Sequence, residues 1–164
     1  EAFGIGAPGS GRAVLTGALA CVLVLPVVLG INHLSMELLT SVEVEAVAQP
    51  AVRALQSVES PWLKVYFGVV AVCVAPVAEE LFFRGILYPT IKQGGYPRVA
   101  LWGTSLFFAA IHANLMTFLP LTALALLFVW LYERTNNLLA PMAAHCTFNL
   151  VNFLWLALAR PPGV

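Results

Sequence analysis

Charge is scarce: Lys, Arg, Asp and Glu make up 10% of the 164 residues, against roughly a quarter in a soluble globular domain. With a hydrophobic share of 60%, that shortage excludes an ordinary water-soluble fold. The eight basic residues are scattered and balanced by eight acidic ones. No basic stripe is present to follow a phosphate backbone, so a nucleic-acid partner is not expected. Cysteine is sparse too: Cys21, Cys73 and Cys146 form no CxxC pair and lie in apolar runs, which argues against a disulfide framework or a cysteine metal knuckle. Internal repeats and low-complexity tracts are missing. The first residue is Glu rather than Met, so the sequence is expected to be part of a longer protein. Residues 13–31 have no clear basic n-region beyond Arg12 and no convincing small-residue cleavage site, and are a poor signal peptide.

What is abundant is apolar sequence gathered into runs, and a helix crossing a bilayer core needs about 17 to 25 such residues. Residues 13–31, 115–132 and 138–159 carry no charged side chain. Val65 to Ala78 ends at a pair of glutamates, and Val99 to Ile111 ends at His112. These two reach spanning length only if the polar residues enter the membrane. The pattern predicts an all-α, multi-pass transmembrane bundle of about five spans, 13–31, 64–88, 98–114, 116–133 and 138–159. The whole of 1–164 is read as one membrane-embedded domain, and the protein as an integral protein of the cell membrane whose partners include the bilayer.

Residues 32–61 form the longest polar stretch, expected as an interfacial connector with one or two short helices broken at Pro50. The links "PTIKQGGYP", 89–97, and "ERTNN", 133–137, read as turns. Arg12, Lys92, Arg98 and Arg134 fall on one side of such a bundle, with Arg53, Lys64 and Arg160 on the other. By the positive-inside rule the four-residue side is cytoplasmic.

An ionised side chain at the bilayer centre costs about 2.5 to 3.5 kcal/mol or more, so it normally faces the bundle interior and is paired. In "APVAEELFFRGILYP", Ala75 to Pro89, Glu80 and Arg84 are i and i+4, hence neighbours with the acid on the N-terminal side. Glu79 points about 100° away and finds no cation one turn off, because positions 75 and 83 are Ala and Phe. A carboxylate in apolar surroundings takes up a proton more readily than one in water, which suits a general base. The third run ends in "FAAIH", with Phe108 one turn before His112, and the fifth holds "HCTFN", with His145 and Asn149 on one face.

Peptide hydrolysis needs a base to activate water and donors to hold the oxyanion in a space closed to lipid. A Glu and a His can share the water's proton, and a second His with an Asn amide can donate to the developing charge. Taken singly these groups have plainer explanations. Glu80 with Arg84 is more often a structural pair, and His145 and Asn149 can serve as interhelical glue. Together, a Glu, two His and an Asn on three apolar helices are harder to explain as glue alone.

These residues also form a recognisable pattern. "EELFFRG", "FAAIH" and "HCTFN" resemble, in order and on separate apolar segments, the EExxxR, FxxxH and HxxxN/B motifs of the CPBP family, the CAAX proteases and bacteriocin-processing enzymes also called the ABI family. The resemblance covers about residues 65–159. It implies an all-helical intramembrane endopeptidase related to the type II CAAX prenyl protease, which removes the C-terminal tripeptide after a prenylated cysteine. It further implies that Glu79 and His112 activate water, that His145 and Asn149 stabilise the oxyanion, and that Glu80 and Arg84 organise the site. No cofactor is implied. The expected substrate is a CAAX-type peptide, prenylated or not, or another membrane-associated peptide or lipidated protein.

Two other readings stand beside this one. Glu79, His112 and His145 have the His₂Glu composition of a catalytic zinc site, although HExxH is missing. A non-catalytic self-immunity or scaffold protein, or a proton-coupled transporter, would also carry intramembrane polar groups. Few spans and no repeated half speak against transport. A serine or cysteine protease is disfavoured, because Ser105 lies outside any GxSxG and Cys146 adjoins His145, where helical neighbours do not face each other.

Overall fold

The computed structural model describes residues 2–158 apart from Ala7 and Ala46. Ala159, the end of the fifth expected span, and Arg160 lie outside the described residues. A short 3-10 turn, Ala2–Gly4, precedes six helices: α1 Ser10–Ser41, α2 Pro50–Ser57, α3 Pro61–Gln93, α4 Pro97–Ile111, α5 Leu115–Thr135 and α6 Leu139–Leu158. There is no strand among the described residues.

Long helices occupy all five expected runs, and α1, α3 and α5 are long and apolar enough to cross a membrane. The other two fall short for identifiable reasons. α4 has 15 residues and reaches only about 22 Å at 1.5 Å per residue. α6 has 20 residues but carries His145, Asn149 and Asn152. α1 also runs on to Ser41, so residues 32–41, expected as connector, are helical. Asn32, His33 and Glu37 are polar without breaking a helix, and His33 Nε2 lies 3.2 Å from Glu37 Oε1 one turn on.

The bundle is apolar outside, and its apolar core also encloses polar and charged side chains. Leu15, Leu23, Trp62, Phe82 and Trp155 are exposed, while Glu80, Arg84, Thr104, Ser105 and His145 are buried. So broad an exposed apolar surface together with buried charges departs from a water-soluble protein and matches a bundle solvated by lipid. The helices approach closely where glycine allows it. A Cβ on Gly17 of α1 would stand 2.0 Å from the Ala140 carbonyl of α6, and one on Gly68 of α3 would meet Phe153 Cζ of α6 at 2.6 Å.

α3 is not a regular α-helix. It widens into π turns at Val70–Val74 and Leu81–Leu87, on either side of the α-helical Ala75–Glu80. Each π turn is followed by an X-Pro pair, Ala75-Pro76 and Tyr88-Pro89. A proline ring clashes with the carbonyl four residues earlier and brings no N–H. Wider turns let the helix continue through both prolines, and π turns are frequent at functional sites. The two glutamates thus lie on a short segment bounded by irregular backbone.

Candidate active site

Glu80 and Arg84 are both fully buried. Arg84 Nη1 donates to Glu80 Oε1 at 2.9 Å, and Nη2 donates to the Ala125 carbonyl of α5 at 3.0 Å. The guanidinium carbon also lies 4.9 Å from the Phe108 ring centre and 5.2 Å from that of Phe128. A buried charge needs both a counterion and hydrogen bonds; Arg84 has these and aromatic faces as well.

The same Glu80 oxygen faces His145 Nδ1 at 2.9 Å. Glu80 therefore joins the cation on its own helix to the imidazole of α6. The His145 ring is stacked on Phe128, centroids 4.9 Å apart at 25°, and meets Phe108 edge-on at 5.6 Å. Held by the contact with Glu80 and by two rings, it has little freedom to turn. Its other nitrogen, Nε2, stands 3.8 Å from Glu79 Oε2, beyond hydrogen-bond length.

Glu79 differs from its neighbour. Its side chain is 29% exposed and makes no ion pair as short as that of Glu80 with Arg84, while its Oε2, like Glu80 Oε2, is buried and has no hydrogen-bond partner. The expected absence of a cation one turn away on α3 holds, and the nearby ionisable group comes from α6 instead.

His112 caps the C-terminus of α4 and its Nδ1 lies 2.7 Å from the Phe108 carbonyl. A carbonyl can only accept, so the ring proton sits on Nδ1 and Nε2 is the nitrogen able to take up another. The Phe108 ring lies 4.9 Å from the ring of His112 and 5.6 Å from that of His145. Asn149, one turn beyond His145, donates from Nδ2 to the Ala71 carbonyl in the first π turn at 2.8 Å. One of its two amide hydrogens is thereby engaged.

The structure therefore brings Glu79, Glu80, Arg84 and His145 into one cluster, places His112 against the same phenylalanine, and ties Asn149 to the α3 backbone. Sequence reasoning drew the site from three helices and missed α5. Phe128 and the Ala125 carbonyl come from it, and nothing in an uninterrupted apolar run distinguishes them. The Ser105 hydroxyl is buried and bonds back to the Leu101 carbonyl at 2.8 Å. Among the described residues no three His, Cys, Asp or Glu side chains are grouped to hold a metal ion.

Comparison with known proteins bears on the same region. Residues 61–151, more than half of the chain, match the family model described as "Type II CAAX prenyl endopeptidase Rce1-like". Two Bacillus subtilis (strain 168) proteins are similar. "Uncharacterized protein YpbD" is 37% identical over 78 residues, 45% of this chain and 37% of that protein. "Putative membrane peptidase YdiL" is 32% identical over 81 residues, 49% of this chain and 33% of that protein. The chain spans about a third of the length of these curated relatives. No solved structure matches it at a significant level. The matched stretch begins with α3 and ends within α6, enclosing every residue of the buried cluster, and the chain belongs to the type II CAAX prenyl endopeptidase Rce1-like family.

Proposed function

We propose that the protein is an integral, multi-pass endopeptidase of the cell membrane that hydrolyses a peptide bond near the C-terminus of a CAAX-type substrate, prenylated or not, without a metal cofactor. One observation carries this reading: Glu79 Oε2 is buried, lacks a donor and stands 3.8 Å from His145 Nε2, beside a Glu80 already matched by Arg84. Glu80 Oε2 also lacks a donor, but Glu80 is anchored through Oε1 to Arg84 at 2.9 Å, whereas Glu79 comes no closer than 3.8 Å to its ionisable neighbour. A water at ordinary hydrogen-bond length from both atoms closes a triangle on that 3.8 Å edge.

In the proposed reaction Glu79, aided by His112 Nε2, removes a proton from water as its oxygen adds to the scissile carbonyl. The carbonyl oxygen takes up the negative charge, held by His145 Nε2–H and by the second N–H of Asn149. Collapse breaks the C–N bond, and the proton taken from water passes to the leaving amine. Glu80 and Arg84 touch no reacting atom; they orient His145.

The test is cleavage of a quenched fluorescent farnesylated CAAX peptide by the full-length, detergent-solubilised protein, with and without chelator. Wild-type cleavage should resist chelator, and Glu79→Gln and His112→Ala should each lose about 10²- to 10⁴-fold, the usual range for an acid-base group. Chelator sensitivity would instead point to the zinc reading. Glu79→Gln cleaving at the wild-type rate would remove the base assignment, and a folded wild type that cleaves nothing would remove the prenylated substrate.

A further inference from the structure

The bond between Asn149 and Ala71 exists because of a residue that neither of them touches through it. In a π turn the amide of residue i+5 bonds the carbonyl of residue i, and Ala75 N–H accordingly goes to the Val70 carbonyl. The next carbonyl is that of Ala71. Its donor in the π register would be residue 76, which is Pro76 and has no N–H. Its donor in the α register would be Ala75, already given to Val70. Ala71 is exposed on a helix apolar enough to span a membrane, where no water is present to satisfy a free carbonyl. Asn149 Nδ2 supplies the missing donor from α6 at 2.8 Å.

That bond lies between two other meetings of the same helices. Going up α3, Gly68 is packed under Phe153, Ala71 is bonded to Asn149, and Glu79 and Glu80 face His145. The partners descend α6 as α3 ascends, so the helices run antiparallel. Packing of Gly68 against Phe153 is non-directional and tolerates sliding. The Asn149 bond is directional, and it sits one turn of α6 from His145 and about two turns of α3 from Glu79. It therefore sets the height and rotation at which the glutamate pair meets His145.

We infer that Pro76 and Asn149 act together as a positioning device: Pro76 frees the Ala71 carbonyl, and Asn149 binds it and holds Glu79 and Glu80 in register with His145. This rests on the hydrolytic reading of that cluster. It gives Asn149 a task distinct from any contact with the oxyanion, one that uses a different amide hydrogen. Pro76 acquires a function that a proline in a membrane helix does not otherwise declare.

A double-mutant cycle tests it in the full-length protein, using Pro76→Ala, Asn149→Ala and the double variant, read by thermal unfolding in detergent and by kcat and KM on the farnesylated CAAX peptide. Pro76→Ala restores a backbone N–H for the Ala71 carbonyl. In that background Asn149→Ala should therefore lower the unfolding midpoint by less than half as much as in wild type. Its loss in kcat should shrink at least threefold, with KM within about twofold throughout. Equal midpoint losses in both backgrounds would overturn the pairing. Coupled midpoints with equal kcat losses would overturn the positioning role, leaving Asn149 to act on the oxyanion alone. If the folded wild type does not cleave the peptide, the prenylated substrate is removed as above, and the unfolding midpoints alone decide whether Pro76 and Asn149 act as a pair. Asn149→Asp, which keeps the shape and in ionised form loses both N–H donors, should follow Asn149→Ala in each background.

Discussion

Glu80 Oε1 lies 2.9 Å from His145 Nδ1, across the interface between α3 and α6. A carboxylate so placed selects one orientation of the imidazole and directs Nε2 to Glu79, as the acid of a Ser-His-Asp triad does for its histidine. Glu80→Gln keeps the shape of the side chain but leaves the buried Arg84 without its counterion, so it should lower the unfolding temperature and, in the fraction that folds, lower kcat by about 10²- to 10⁴-fold, the upper figure being the cost of the equivalent acid-to-amide change in a triad. KM for the farnesylated peptide should change little. A Glu80→Gln protein with normal kcat would show that His145 needs no orienting acid.

Arg84 is the sole cation bonded to Glu80 within α3, and both side chains are fully buried. Removing one member of such a pair leaves the other uncompensated and costs about 3–5 kcal/mol, whereas replacing both by apolar side chains is often neutral. Arg84→Ala should accordingly unfold at a markedly lower temperature in detergent. The double variant Glu80→Leu/Arg84→Met should recover most of that loss while remaining inactive. Were the double variant as unstable as the single one, the pair would be contributing far more than mutual neutralisation.

How far this arrangement could be read from sequence differs from element to element. The helices were legible because spanning length and apolar content are local properties, and the Glu80–Arg84 pair because i,i+4 neighbours meet on any helix. Pro76 and Pro89 marked the places where α3 departs from regularity, but a proline can equally kink or end a helix. The choice of π turns depends on what packs beside them, here the Asn149 amide. Phe128 and the Ala125 carbonyl were invisible because they enter the site through the packing of α5. The extension of α1 to Ser41 was hidden by polar residues that change the solvation of a helix without ending it.

Ser105 and Cys146 are not suited to attack a carbonyl. Ser105 is buried with its hydroxyl bonded to Leu101, and Cys146 follows His145 directly on α6. Ser105→Ala and Cys146→Ala should each retain activity within a factor of about three, since neither removes a base or an oriented donor. An assay of both variants beside Glu79→Gln separates water activation from a covalent nucleophile. Loss of all cleavage in either alanine variant would require the mechanism to be rebuilt around an acyl-enzyme.

Gly17 governs how closely α1 approaches α6, the helix that carries His145. Even a methyl group there would stand 2.0 Å from the Ala140 carbonyl, a backbone atom that cannot rotate away. Gly17→Ala must therefore separate the helices, and overpacking of this kind typically costs about 1–3 kcal/mol. The strain enters α6 one turn and a half before His145, so activity should fall together with the unfolding temperature. Gly30, on the same helix, has open space around its Cβ position. Gly30→Ala should leave both quantities unchanged or raise the unfolding temperature, because alanine is the better helix former by about 1 kcal/mol. Equal behaviour of the two variants would mean that α1 is free to shift against α6, and that its contact at Ala140 does not help to hold His145 in place.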